Sequence, residues 1–121
     1  MTRRQFEDWL ENLKRIWETK TPNKITSICA NEFIWYETPF DNPLTTKEQL
    51  LNEWQSVLNQ KHITVSYKIL CITDNIGIAQ WHANFTRLPS NEPAELDGIF
   101  QITLDAFGCC TEFRQWYNSK E

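Results

Sequence analysis

The sequence predicts an α+β domain in which three N-terminal helices pack on a curved antiparallel sheet. Two patterns lead there. In the first half of the chain apolar residues recur at spacings of three and four, whereas from His62 onward they alternate with polar residues at a period of two. Turn-forming clusters then cut the second half into four meandering segments, each with one apolar and one mostly polar face, as antiparallel strands have and buried parallel strands do not. The 121 residues, 1–121, form one domain, able to remove roughly two-thirds of its unfolded surface from water.

Thr2 and Gln5 have the spacing of a capping box and open the first helix, whose Phe6, Trp9, Leu10, Leu13, Ile16 and Trp17 form one wide apolar face. Thr21 before Pro22 reads as an N-cap, so a short second helix runs from Pro22 to about Cys29 and buries Ile25, Ile28 and Cys29. Phe33–Thr38 is aromatic and β-branched, a strand closed by Pro39 and Pro43. Thr45 with Glu48 and Thr46 with Gln49 both fit a capping box for a third helix, with Leu50, Leu51, Trp54, Val57 and Leu58 inward.

The strand after it alternates through Ile63, Val65, Tyr67, Ile69 and Cys71, and turns at Thr73-Asp74-Asn75. Ile76–Leu88 sets Ala79, Trp81, Ala83 and Phe85 against Gln80, His82, Asn84 and Thr86, and the small residues beside the rings let the sheet curl. Pro89–Pro93 is a turn. Ala94–Tyr117 is a long hairpin with Leu96, Gly98, Phe100, Ile102 and Leu104 on one face and its tip at Asp105-Ala106-Phe107-Gly108, where Gly108 suits a left-handed position.

The apolar fraction is 40%, but six Trp, seven Phe and three Tyr concentrate the hydrophobic area in large rings. Net charge is −4 and the basic residues are scattered, so no nucleic-acid partner is expected. No window approaches the ~20 apolar residues of a membrane helix, and the first residues lack the hydrophobic run of a signal peptide, so no membrane partner and a cytoplasmic location are expected. Cys29, Cys71, Cys109 and Cys110 form no CxxC pair and read as reduced thiols. HExxH, GxSxG, Walker-type and GxGxxG segments are absent, which gives no metal or other cofactor reading.

This order of elements, with Trp35-Tyr36-Glu37-Thr38-Pro39-Phe40, the helix ending in Trp54, Leu96-Asp97-Gly98-Ile99-Phe100 and Phe113-Arg114-Gln115-Trp116-Tyr117, resembles the nuclear transport factor 2-like superfamily and its SnoaL-like branch. The resemblance covers essentially the whole chain. It implies a strongly curved antiparallel sheet, a cone or cystatin-like roll, whose concave side, closed by the helices, leaves an apolar cavity, and whose other side often pairs with a second subunit, so that a homodimer is expected. It does not choose an activity, since members include isomerases, hydrolases, cyclases and binding modules. Against ketosteroid isomerase, its best-defined catalytic template, the base position before a proline falls on Thr38, with Glu37 one residue earlier. The oxyanion-holding acid falls on Phe100 and the tyrosine near Leu13, neither of which donates a hydrogen bond, so the isomerase catalytic set is missing.

Glu37, after two aromatics and before a proline-bounded loop, is the candidate general base, in a place where partial desolvation raises a carboxyl pKa. The same residue read blandly is a solvated rim carboxylate. The candidate pocket wall is Tyr36, Trp54, Trp81, Phe100, Phe113, Gln115 and Tyr117, of which Trp54 and Tyr117 could aim a polar tip at a ligand, while Trp81 and Phe100 read first as plain packing. Asp97 and His82 fall on the outward face, and Arg114 has Glu112 as a near partner. Two functions follow: a cofactor-free cavity for a small apolar or cyclic ligand with acid/base chemistry from Glu37, or a dimerisation or protein-binding module with a filled cone. A cavity on the order of 300 Å³ or more beside Glu37 favours the first, and Glu37 in solvent over a filled interior favours the second.

Overall fold

A computed structural model describes residues 1–120. Helix α1 (Arg3–Glu18) begins at the expected capping box: the Gln5 N–H donates to Thr2 Oγ1 at 3.1 Å, and the Thr2 N–H donates to Gln5 Oε1 at 2.9 Å. All six apolar residues of its predicted face are buried.

The second helix, Pro22–Ile28, is a 3-10 segment, and its buried residues Pro22, Ile25 and Ile28 recur at three, the period of that tighter winding. Thr21 does not cap it. Its N–H bonds the Ile16 carbonyl at 3.0 Å and its hydroxyl lies 3.0 Å from Thr19 Oγ1, so the side chain serves the end of α1 instead. Cys29 is the buried first residue of strand β1 (Cys29–Tyr36), which starts earlier than the aromatic content alone indicated.

Helix α2 (Lys47–Trp54) uses the second of its two candidate caps, Thr46 with Gln49. It tightens into a 3-10 turn at Gln55–Asn59, and that change of winding turns Leu58 outward, to 48% exposure, although its helical spacing predicted an inward position.

Strands β2 (Gln60–Thr73), β3 (Ile76–Arg87), β4 (Pro93–Leu104) and β5 (Cys110–Lys120) form an antiparallel meander, and β1 joins its far edge in the order β1-β5-β4-β3-β2. The β1–β5 pair is parallel, so the sheet is mixed rather than wholly antiparallel. Tight hairpins fix the direction of the last four strands, whereas β1 arrives from the helices and no short turn ties it to β5. The meander keeps its expected parity except in β2, where a register shift between Ile69 and Cys71 flips the strand: Cys71 is exposed and Ile72 packs on the core instead.

The core lies between α1 and one face of the sheet. Phe6 rests directly on Gly77 of β3, where a Cβ would come within 2.5 Å of the ring. Polar ties hold the helix over edge strand β2: Val65 N–H donates to Glu18 Oε2 at 2.8 Å, Tyr67 Oη to Glu11 Oε1 at 2.6 Å and Trp17 Nε1 to Gln60 Oε1 at 2.8 Å. At the far hairpin Asp105 Oδ1 accepts from the N–H groups of Phe107 and Cys109, and Gly108 sits at φ +80°. No helix among the described residues is long and apolar enough to cross a membrane.

Candidate functional site

The site begins with the parity of β1. Phe33 and Trp35 point into the core, and Glu37, two residues further on, continues on that face just past the end of the strand. The loop beyond it doubles back so that Leu44 and Trp35 exchange both backbone hydrogen bonds, at 2.8 and 2.9 Å, which fixes the chain on either side of Glu37. Its carboxylate is met by two donors: Trp35 Nε1 reaches Oε1 at 2.7 Å, and Gln115 Nε2 of β5 reaches Oε2 at 2.9 Å while also donating to the Glu37 carbonyl at 3.0 Å.

Burial is the larger influence on this group. The Glu37 pKa is raised from 4.5 to about 7: desolvation pushes it up most, the Trp35 N–H draws it down, the neighbouring charge of Glu53 adds to the rise, and the Gln115 N–H offsets part of it. A carboxyl balanced near neutrality can take or give a proton, as acid/base work requires.

Around Glu37 lies a cavity of about 190 Å³. Its sheet side is Trp81, Phe100, Phe113, Gln115 and Tyr117; its helix side is Leu13 and Trp17 of α1; Trp54, Val57 and Gln60 close one end, and the exposed Glu53, Ser56 and Tyr117 stand at the mouth. Glu37 faces inward and the interior is not filled, yet the space falls short of the about 300 Å³ or more that would favour the ligand-site reading. Six tryptophan, phenylalanine and tyrosine rings crowd it: Trp81 stacks on Phe100 with centroids 5.1 Å apart, and Trp17 meets Trp54 edge-on at 6.0 Å. The Trp81 indole N–H is buried without a hydrogen-bond partner among the described residues.

Seven of the eight residues singled out in the sequence therefore sit on this wall, and Tyr36 does not. One step off the parity of Trp35 and Glu37, it lies on the outer face, with the Arg114 guanidinium 4.1 Å from its ring centroid and Arg114 in turn paired to Glu112 at 3.2 Å. Thr38, at the template's base position, caps the loop by accepting from the Asp41 N–H at 3.3 Å. Leu13 and Phe100, at the template's hydrogen-bonding positions, line the cavity with carbon alone. Asp97 is outward, bonded to His82 Nδ1 at 2.9 Å and Gln80 Nε2 at 3.2 Å, and those bonds hold its carboxyl below the usual range. Burial, then the charge of Glu37, raises the Tyr117 phenol.

Glu53 and Trp35 were missed, though both left a signal. Glu53 shares the helical face of Leu50 and Val57 at spacings of three and four, and Trp35 lies two strand residues from Glu37, on the same side. Among the described residues no three His, Cys, Asp or Glu side chains gather as a metal site would need.

The structure of the epoxide hydrolase/cyclase-like enzyme SalBIII, described for pyran ring formation in the polyether salinomycin, superposes with a TM-score of 0.80 over 93% of this chain and 89% of its own, at 11% identity. The fold is that of the nuclear transport factor 2-like superfamily. A second protein of this nuclear transport factor 2-like fold, a candidate isomerase from Bacillus subtilis, gives a TM-score of 0.81 over 98% of this chain and 90% of its own, at 15% identity. No family model and no curated protein matches the sequence. At these identities the likeness fixes the cone and its concave side, while the chemistry must be argued from the side chains.

Proposed function

We propose that the interior of the cone is a small-molecule site that binds a compact apolar or cyclic ligand and acts on it by cofactor-free acid/base chemistry from Glu37. The observation that carries this reading is the Glu37 carboxyl, held between Trp35 and Gln115 on a cavity wall with a pKa of about 7. A desolvated carboxyl with a raised pKa on the wall of a cavity is the arrangement that a proton-carrying group requires. Gln115 orients the carboxyl, and Trp54 and Tyr117 bound the ligand. Ring closure and isomerisation, the themes of the fold neighbours' names, both turn on moving a proton.

The experiment is a thermal-shift screen of a metabolite panel on the wild type and Glu37→Gln, followed by turnover of any ligand found. Ligand-dependent stabilisation in both proteins with turnover lost in Glu37→Gln is the expected result. Unchanged turnover in that variant excludes the base role.

A second copy of the chain covers the outer face in this proposal, supported by exposed Ile34, Phe40 and Trp116 on that side. A sizing column decides it, since a homodimer elutes well above the monomer mass of 14.4 kDa. Should no ligand bind while the dimer persists, the protein is a non-catalytic dimerisation module. Its four unpaired cysteines suit the cytoplasm.

A further inference from the structure

We propose that the cavity beside Glu37 takes a small organic cation, an alkylated or cyclic ammonium compound whose charged nitrogen sits among the aromatic faces and between the carboxylates of Glu37 and Glu53. This rests on the reading of the cavity as a ligand site and adds the charge of its occupant.

The lining sets the sign. Two carboxylic acids border the space, Glu37 from the end of β1 and Glu53 from α2, and no Lys, Arg or His borders it. An anion entering would lose its hydration with no counter-charge waiting and two like charges beside it. A neutral ligand would expel water from Glu37 and return nothing to its charge. A cation answers both carboxylates, and the rings of Trp17, Trp54, Trp81 and Phe113 that line the space supply π electrons, whose attraction for a cation is stronger in a desolvated site. The Trp17 indole N–H, the positive edge of its ring, is turned to Gln60, and the Trp81 N–H, unpartnered among the described residues, calls for an oxygen acceptor, such as a hydroxyl, on the body of the same ligand.

Size sets the class. A cavity of about 190 Å³ has room for an ammonium head with a short apolar body and is too small to enclose a ligand of four fused rings. The raised pKa of Glu37 agrees with this, because a buried carboxyl awaiting a counter-charge stays partly protonated until the counter-charge arrives. The titratable groups facing it are Glu53 of α2 and Tyr117 of β5, with Asp41 of the loop acting on Tyr117. Binding should therefore tighten as the pH rises through 7.

The test compares three ligands of one shape in calorimetric or tryptophan-fluorescence titrations of the full chain: choline, its neutral isostere 3,3-dimethylbutan-1-ol, and the anion 3,3-dimethylbutanoate. Choline is expected to bind about tenfold or more tighter than the alcohol at pH 8 and to weaken toward pH 6. Glu37→Gln and, at the exposed rim, Glu53→Gln should each weaken choline and leave the alcohol nearly unchanged. If the alcohol or the anion binds as well as choline, the cation proposal is overturned and the cavity remains a ligand site. If none of the three binds in the folded protein but other neutral compounds do, the charge assignment falls alone; if nothing binds, the site reading falls with it.

Discussion

Trp35 donates its indole N–H to Glu37 across two residues of one extended segment, at 2.7 Å, and the same indole stacks on Phe113 with centroids 3.8 Å apart and planes 10° from parallel. One side chain thus belongs at once to the core and to the acid/base group, so the orientation of Glu37 is as rigid as the packing of the cone. Replacing Trp35 with Phe keeps a ring against Phe113 but removes the donor. Because that hydrogen bond lowers the Glu37 pKa, the variant should titrate above 7, as ¹³C NMR of labelled carboxyl groups would show. Urea unfolding should give a loss of about 2–3 kcal/mol, the worth of a hydrogen bond to a charged acceptor plus the lost ring volume.

Glu37 also gives stability a pH dependence. Its pKa is about 7 in the folded protein against 4.5 as an ordinary side chain, so between those values the native state holds the proton more often than the unfolded state does. Stability from this group must fall as pH rises from 4.5 through 7 and level off above, by at most about 3 kcal/mol. Glu37→Gln should flatten that slope in urea titrations run from pH 5 to pH 8, whatever its effect on absolute stability. A wild-type slope that survives unchanged in the variant would assign the dependence to other groups.

Gly77→Ala should destabilise by about 1–3 kcal/mol, since the new methyl meets the fully buried Phe6 ring at 2.5 Å and the ring has no room to retreat. The loss should be partly recovered by adding Phe6→Leu, which costs stability alone. A double-mutant cycle in which the two changes simply add would contradict the contact.

Gly108→Ala carries no steric contact, because open space surrounds the position of its Cβ, yet φ is +80°. The expected loss is about 1 kcal/mol, from the left-handed backbone alone, with Gly108→Asn milder. Thermal melts of the two variants separate a conformational cost from a packing one.

Much of the fold was readable because it is local. Both α-helical caps, the alternation of β3 and β4 and the Asp105–Gly108 tip follow from residues a few places apart. The departures mark where local pattern loses to neighbours. Cys71 follows the strand alternation on paper, but the shift at Ile69 hands its place to Ile72, and Tyr36, between the core residue Trp35 and the pocket residue Glu37, is outward by parity. The site divides the same way. Alternation put Phe100 on one face with Gly98 and Ile102, and the family resemblance joined Phe113, Gln115 and Tyr117 to it, whereas Glu53 and Trp17 became neighbours of that face only when α1 and α2 closed over it.

By itself the sequence determined the helices, the meander and an aromatic inner wall, since hydrogen bonding and hydrophobic period act over three or four residues. The parallel seating of β1 beside β5, the meeting of Gln115 with Glu37 across 78 positions of chain and the desolvation that brings this carboxyl to neutrality were decided by the tertiary structure alone. Burial of a charge depends on every element that excludes water from it, and no stretch of sequence contains them all.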